Sequence, residues 1–64
     1  MKNIEIIKLY KEIFDSEGNV RAVGREKCKK LISLLSEANK DIDFGNEETG
    51  FMNVENIKNF IELK

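Results

Sequence analysis

The chain has no histidine, no proline and no tryptophan, and Cys28 is its only cysteine. A lone cysteine excludes an internal disulfide and fits a reducing compartment, most simply the cytoplasm. Without histidine, a zinc site would have to draw four ligands from one thiol and scattered carboxylates, which is poor zinc chemistry. The usual general base of nucleophilic catalysis is missing for the same reason. No apolar run approaches the roughly 20 residues of a membrane span. The opening MKNIEIIKLY is interrupted by Glu5 and Lys8, too early for the apolar stretch of a signal peptide. The expectation is a soluble protein without membrane contact. Internal repeats and low-complexity tracts are also lacking.

An excess of either charge is lacking as well. Eleven basic residues stand against 12 acidic ones, for a net charge of −1. That balance gives no general attraction to nucleic acid or to an anionic surface. The distribution is uneven, however. Residues 21–30 carry Arg21, Arg25, Lys27, Lys29 and Lys30 against Glu26, whereas residues 41–55 carry Asp41, Asp43, Glu47, Glu48 and Glu55 with no base.

What is present is helical periodicity. In residues 3–15, Ile6, Leu9, Tyr10 and Ile13 recur at i, i+3, i+4 and i+7, and Ile7 and Phe14 widen the stripe. Asn3 is a suitable N-cap. In residues 25–39, Cys28, Leu31, Ile32 and Leu35 repeat the spacing, and Leu34 and Ala38 extend it. Gly24 can cap this segment, and Asn39 can take a left-handed stop. In residues 54–63, Val54, Ile57, Phe60 and Ile61 form a third stripe behind the N-cap Asn53, with Met52 and Ile57 spaced as a hydrophobic staple. The fold class expected is mainly α: one small three-helix domain of 64 residues. A short two-stranded β pair, about 19–23 with 50–54, would close the open end. A domain of this size buries only about 60% of the surface its unfolded chain exposes, so a protein partner or self-association is an expected source of stability.

Four stretches could carry function. DSEGNVRAVGRE places Asp15, Glu17, Asn19 and Glu26 at positions 1, 3, 5 and 12 of a calcium loop of EF-hand type. Position 6 needs a positive φ and is held here by Val20, which resists it, while Arg21 and Arg25 add unwanted positive charge. No metal is therefore expected, and SEGN reads as the turn that ends the first helix. The basic run, with Arg21, Arg25, Lys27, Lys29 and Lys30, is a candidate anion or nucleic-acid contact. No aromatic residue is interleaved to stack on bases, and the favoured reading is a solvated face neutralised by residues 41–48. Cys28 lies on an apolar stripe and reads as a small core residue rather than a nucleophile.

The loop DFGNEETGFMN sets Phe44, Phe51 and Met52 among Glu47 and Glu48. Exposed, these five residues would bind a protein partner; folded in, the apolar three would cap the core. Paired carboxylates are inevitable with 12 acids in 64 residues, and so small a bundle leaves little room for a substrate pocket. No enzyme activity and no cofactor are expected. Ile, Lys and Asn, which have AT-rich codons, supply 24 residues, and Arg only two. This composition suggests a low-GC bacterial, phage or mobile-element source. The expected function is a small cytoplasmic interaction or regulatory protein, such as an inhibitor or accessory factor. Nucleic-acid binding through residues 21–30 is the alternative.

Overall fold

The computed structural model describes residues 4–62. Helices α1 (Ile4–Ile13), α2 (Arg25–Ala38) and α3 (Val54–Glu62) follow the three stripes, and strands β1 (Gly45–Asn46) and β2 (Phe51–Met52) form an antiparallel pair before α3. The mainly α domain with a short β pair is thus as the periodicity implied. The Asn3 cap and Leu63, the last residue expected for the third helix, lie outside the described residues.

Helix α2 is the centre of the fold. It packs on α1 along one side and on both strands along another. Its Leu31, Ile32 and Leu35 are fully buried, and Cys28 is buried with them. Ile6, Leu9, Ile13 and Phe14 come from α1 and its end, Ile57 from α3, and Phe44 from the loop. Each such large apolar side chain contributes about 1.5–3 kcal/mol on leaving water. Phe44 meets Phe60 edge-on, with ring centroids 5.2 Å apart, which joins the loop to α3. Tyr10 stacks on Phe14 at 4.6 Å and donates a hydrogen bond to Glu62 Oε2 at 3.2 Å, which ties α1 to α3. Burial, with the Glu62 carboxylate as a second cause, raises the Tyr10 pKa above its ordinary value.

Several local expectations need correction. Ile7 is exposed rather than part of the core stripe, and so is Ala38. The periodic stripe is wider than the groove α2 offers, and only its centre is covered. Asn39 is not left-handed: it is extended, with φ −152°. Its N–H bonds to Leu35 O while its side chain accepts from Asp41 N–H at 2.9 Å, so the helix stops by starting a side-chain turn. Asn53 does cap α3: its Oδ1 receives the Asn56 N–H at 3.5 Å, and its carbonyl receives that of Ile57 at 3.0 Å.

The β pairing of 19–23 with 50–54 does not form. Val20 instead bridges Phe14, and Arg21 N–H reaches Ile13 O at 2.7 Å. Residues 51–52 do become a strand, but with 45–46 as the partner. In both cases the chain closes on a near neighbour. The short loop costs less closure entropy than a pairing some thirty residues away.

Candidate functional site

The loop between α2 and α3 contains no helix, yet it is pinned almost residue by residue. Asp43 Oδ1 accepts the Gly45 N–H at 3.1 Å. Asn46 Oδ1 accepts the N–H groups of Glu48 at 2.8 Å and Thr49 at 3.3 Å, and Thr49 Oγ1 accepts that of Phe51 at 3.2 Å. These are turns in which a side-chain oxygen mimics the backbone acceptor. Gly50 N–H then closes on Asn46 O at 2.9 Å, with Gly50 at φ +80°, a conformation that favours glycine. Two longer bonds fix the loop to α3: Asn53 N–H to Phe44 O, and Asn56 Nδ2 to Asp43 O, both 2.9 Å.

The strand register sorts the apolar residues of this loop. Gly45 pairs with Met52 and Asn46 with Phe51. Neighbouring side chains on a strand point to opposite faces. Met52 packs against the core, so Phe51 must face away, and it is 81% exposed. Phe44, at 1% exposure, is a core residue. The three apolar candidates therefore separate into one buried, one half-buried and one exposed side chain. Glu47 and Glu48, both exposed, form the turn that precedes Phe51.

Phe51 borders two open hollows. One is lined by the acidic side of the hairpin, including Asp43, Glu47 and Glu48. The other is lined by Arg25, Thr49 and Gly50. The packing is close here: a Cβ built on Gly50 would lie 3.1 Å from Arg25 O. The fold thus brings the start of α2 against the hairpin, so that Arg25 and Phe51 line one hollow across a sequence gap of more than twenty residues.

The five basic residues do not form one uniform stripe. Lys27 pairs with Glu12 at 2.9 Å, Lys30 with Glu5 at 3.4 Å, and Lys29 with Glu26 at 3.7 Å. The expected neutralisation by residues 41–48 is not found among the described residues. The partners come from α1, which lies antiparallel along α2, and from α2 itself. Lys27 holds the Glu12 carboxyl below its ordinary pKa, chiefly through their hydrogen bond. Arg21 and Arg25 are exposed and, among the described residues, make no ion pair.

In the first connection, Asp15 Oδ1 accepts the N–H groups of Asn19 and Glu17, each at 2.9 Å. The Asn19 bond is the largest cause of a pKa below the usual carboxylate value, against some desolvation. Gly18, at φ +85°, makes the turn, two residues before the position a calcium loop would use. Lys58 Nζ donates to Gly18 O at 3.3 Å, docking this turn on α3. The segment is a side-chain-capped turn. Among the described residues, no group of three or more Cys, Asp and Glu side chains could hold a metal ion, and no helix is long and apolar enough to cross a membrane.

Two features escaped the linear reading. One is the division of labour between Phe51 and Met52, although their adjacency in a strand-forming run was a usable signal. The other is the meeting of Arg25 with Phe51, for which the sequence carries no local sign. Comparison with protein-family models, with curated proteins and with solved structures finds no match to this chain.

Proposed function

We propose that this chain is a small non-enzymatic interaction protein whose docking element is the hairpin that carries Phe51, Glu47 and Glu48. The observation that supports it is the 81% exposure of Phe51 on a turn that local hydrogen bonds hold in place. An apolar side chain presented this way binds without first ordering a loop, and that ordering is a large part of the cost of association. Large aromatics are also the side chains on which binding energy concentrates. Acting as an inhibitor or accessory factor in a low-GC bacterial, phage or mobile-element setting fits the size and the composition.

The test is a pulldown from a low-GC bacterial lysate with the wild-type chain and with Phe51→Ala. The wild type should retain a protein that the folded variant loses. Equal retention by both would reject the hairpin as the docking element.

A second reading is single-stranded nucleic-acid binding, with Phe51 as the stacking face and Arg21 and Arg25 on phosphates. The proximity of Arg25 and Phe51 favours it, because it supplies the aromatic that the basic run lacks. The pairing of Lys27, Lys29 and Lys30 with carboxylates weighs against it. This reading requires an affinity that falls steeply with salt, and a gel shift that stays flat at low salt removes it.

A further inference from the structure

The hairpin differs from the rest of the surface in how its acids are treated. Residues 41–55 hold five acids and no base. Three of them, Asp43, Glu47 and Glu48, are exposed and line one hollow together with Phe51. On α1, Glu5 and Glu12 each pair with a lysine of α2. Among the described residues, no acid of 41–55 is in an ion pair. Against the three carboxylates stands one guanidinium, that of Arg25, which lines a second hollow with Phe51. The surroundings of the ring are therefore net acidic, on a molecule whose net charge is only −1.

That combination selects a kind of ligand. Among the described residues, no three acidic or thiol groups stand close enough to hold a metal ion, so the carboxylates do not converge on a small cation. Dispersed carboxylates beside an open ring suit a cation that is flat and carried on an apolar stem. A guanidinium stacks on an aromatic face and donates to carboxylates at the same time. Its methylenes cover apolar surface while the charge reaches the acids. A phosphate backbone meets the opposite condition, because three carboxylates repel it.

We propose that the hollow beside Phe51 takes arginine side chains from a basic segment of a partner protein, with Phe51 as the stacking face and Asp43, Glu47 and Glu48 as the acceptors. The proposal rests on the docking role of the hairpin and names the chemistry of its partner. The turn is held by the side chains of Asn46 and Thr49, so the backbone that carries the acceptors is in place before the partner arrives.

The experiment titrates end-blocked hexaarginine into the full chain and follows backbone amide and Phe51 ring resonances by NMR. Shifts should concentrate on residues 43–52, with a Kd on the order of 0.1–1 mM at low salt. Raising salt from about 0.01 M to about 0.15 M shortens the screening length from about 30 Å to about 8 Å and should weaken binding at least about fivefold. Glu47→Gln with Glu48→Gln should weaken it by about fivefold, the effect of two exposed ion pairs. Glu17→Gln with Glu37→Gln removes the same charge from exposed residues outside the hollow and should change the affinity by less than about twofold. Phe51→Ala should weaken binding by about threefold, the effect of one exposed cation–ring contact. Arg25→Gln should tighten it by about twofold, because it removes a like charge beside the ring, and damage to the fold does not produce a gain. Far-UV circular dichroism on each variant checks that it is folded.

No response to hexaarginine at millimolar peptide overturns the proposal. Equal losses in the two Glu→Gln pairs, an unchanged affinity in Phe51→Ala or a weaker one in Arg25→Gln also overturn it. Phe51 ring shifts caused by hexaglutamate or an oligothymidylate, and not by hexaarginine, do the same, and the oligothymidylate result points to the nucleic-acid reading. The lysate pulldown separates this proposal from the docking role on which it rests. A captured protein lost by Phe51→Ala but kept by Glu47→Gln with Glu48→Gln leaves the docking role standing and removes the basic partner. A protein kept by both variants removes the docking role itself.

Discussion

Phe44 and Phe51 are the same residue type, seven positions apart in one loop, and replacing each with alanine should have very different consequences. Phe44 is 1% exposed and meets Phe60 edge-on. Truncating a buried Phe removes its transfer free energy and leaves a cavity, at a cost of about 3–5 kcal/mol. A 64-residue domain has a total stability of about 3–10 kcal/mol. Phe44→Ala therefore consumes from a third of that stability to all of it. At about 4–8 °C per kcal/mol for domains near this size, its melting temperature falls by at least about 12 °C, or the variant does not fold. Phe51 is 81% exposed, so truncation removes little buried area and stays within about 0.5 kcal/mol, a shift below about 4 °C. Strand propensity could add to that figure, and Phe51→Thr separates the two effects, because threonine keeps the propensity without the aromatic face. Thermal and urea melts followed by far-UV circular dichroism measure all three variants. A Phe51→Ala variant as damaged as Phe44→Ala would refute the sorting by register. A Phe44→Ala variant that melts with the wild type would refute the core assignment.

Gly45 is at φ +133°, and a Cβ there would lie 2.4 Å from Phe51 O, so Gly45→Ala should cost at least about 2 kcal/mol, read as a fall in melting temperature of about 8 °C or more. Gly24 is extended, makes no side-chain cap bond and has nothing within 4 Å of a built Cβ, so Gly24→Asp should stabilise by about 0.5 kcal/mol in the same melts. Asp15 has a folded pKa below its unfolded one, so its contribution is present above the unfolded pKa and is lost as pH falls through the folded value. Melting temperature should therefore drop below about pH 4, and Asp15→Asn should show a smaller drop over the same range. Cys28 is buried, so a thiol reagent should label it slowly in the native protein and rapidly in urea; fast native labelling would contradict its place in the core.

The helices were legible because each apolar stripe repeats with a period of 3.6 and each is long enough to show it. Cys28, Leu31, Ile32 and Leu35 needed no tertiary information to be placed in the core. The limit lay in how far each stripe would be covered. Ile7 continues the pattern of α1 and is nevertheless exposed, because coverage depends on the width of the opposing surface. The strands were harder for a different reason. NVRAV and GFMNV both have β character, but pairing is decided by which closure is cheapest, and each found a partner within seven residues along the chain. The local signal was there in another form: Asp15, Asp43 and Asn46 each stand two residues before the N–H they accept. The candidate site was half visible. Its residues were named, but the meeting of Arg25 with the hairpin follows from the packing of α2 on the strands, which no short stretch encodes.

A single exposed aromatic is common on folded proteins and by itself says little about function. Phe51 differs because two separate features of the loop put it there. The inward seat of Met52 turns Phe51 outward, and Gly45 lets the Phe51 carbonyl approach too closely for any side chain opposite. A chain that needed only to hide its apolar residues could place a polar residue at position 51 without touching the core. The strand would keep its register, since Gly45, Asn46 and Met52 set it, and the domain would lose no buried contact. Stability therefore gives no reason for phenylalanine at this position beyond a modest strand propensity that threonine would supply equally well. If Phe51→Thr melts with the wild type and also keeps every binding behaviour, the phenylalanine is incidental. If it melts with the wild type and loses association, the aromatic face is what the rigid turn is built to present.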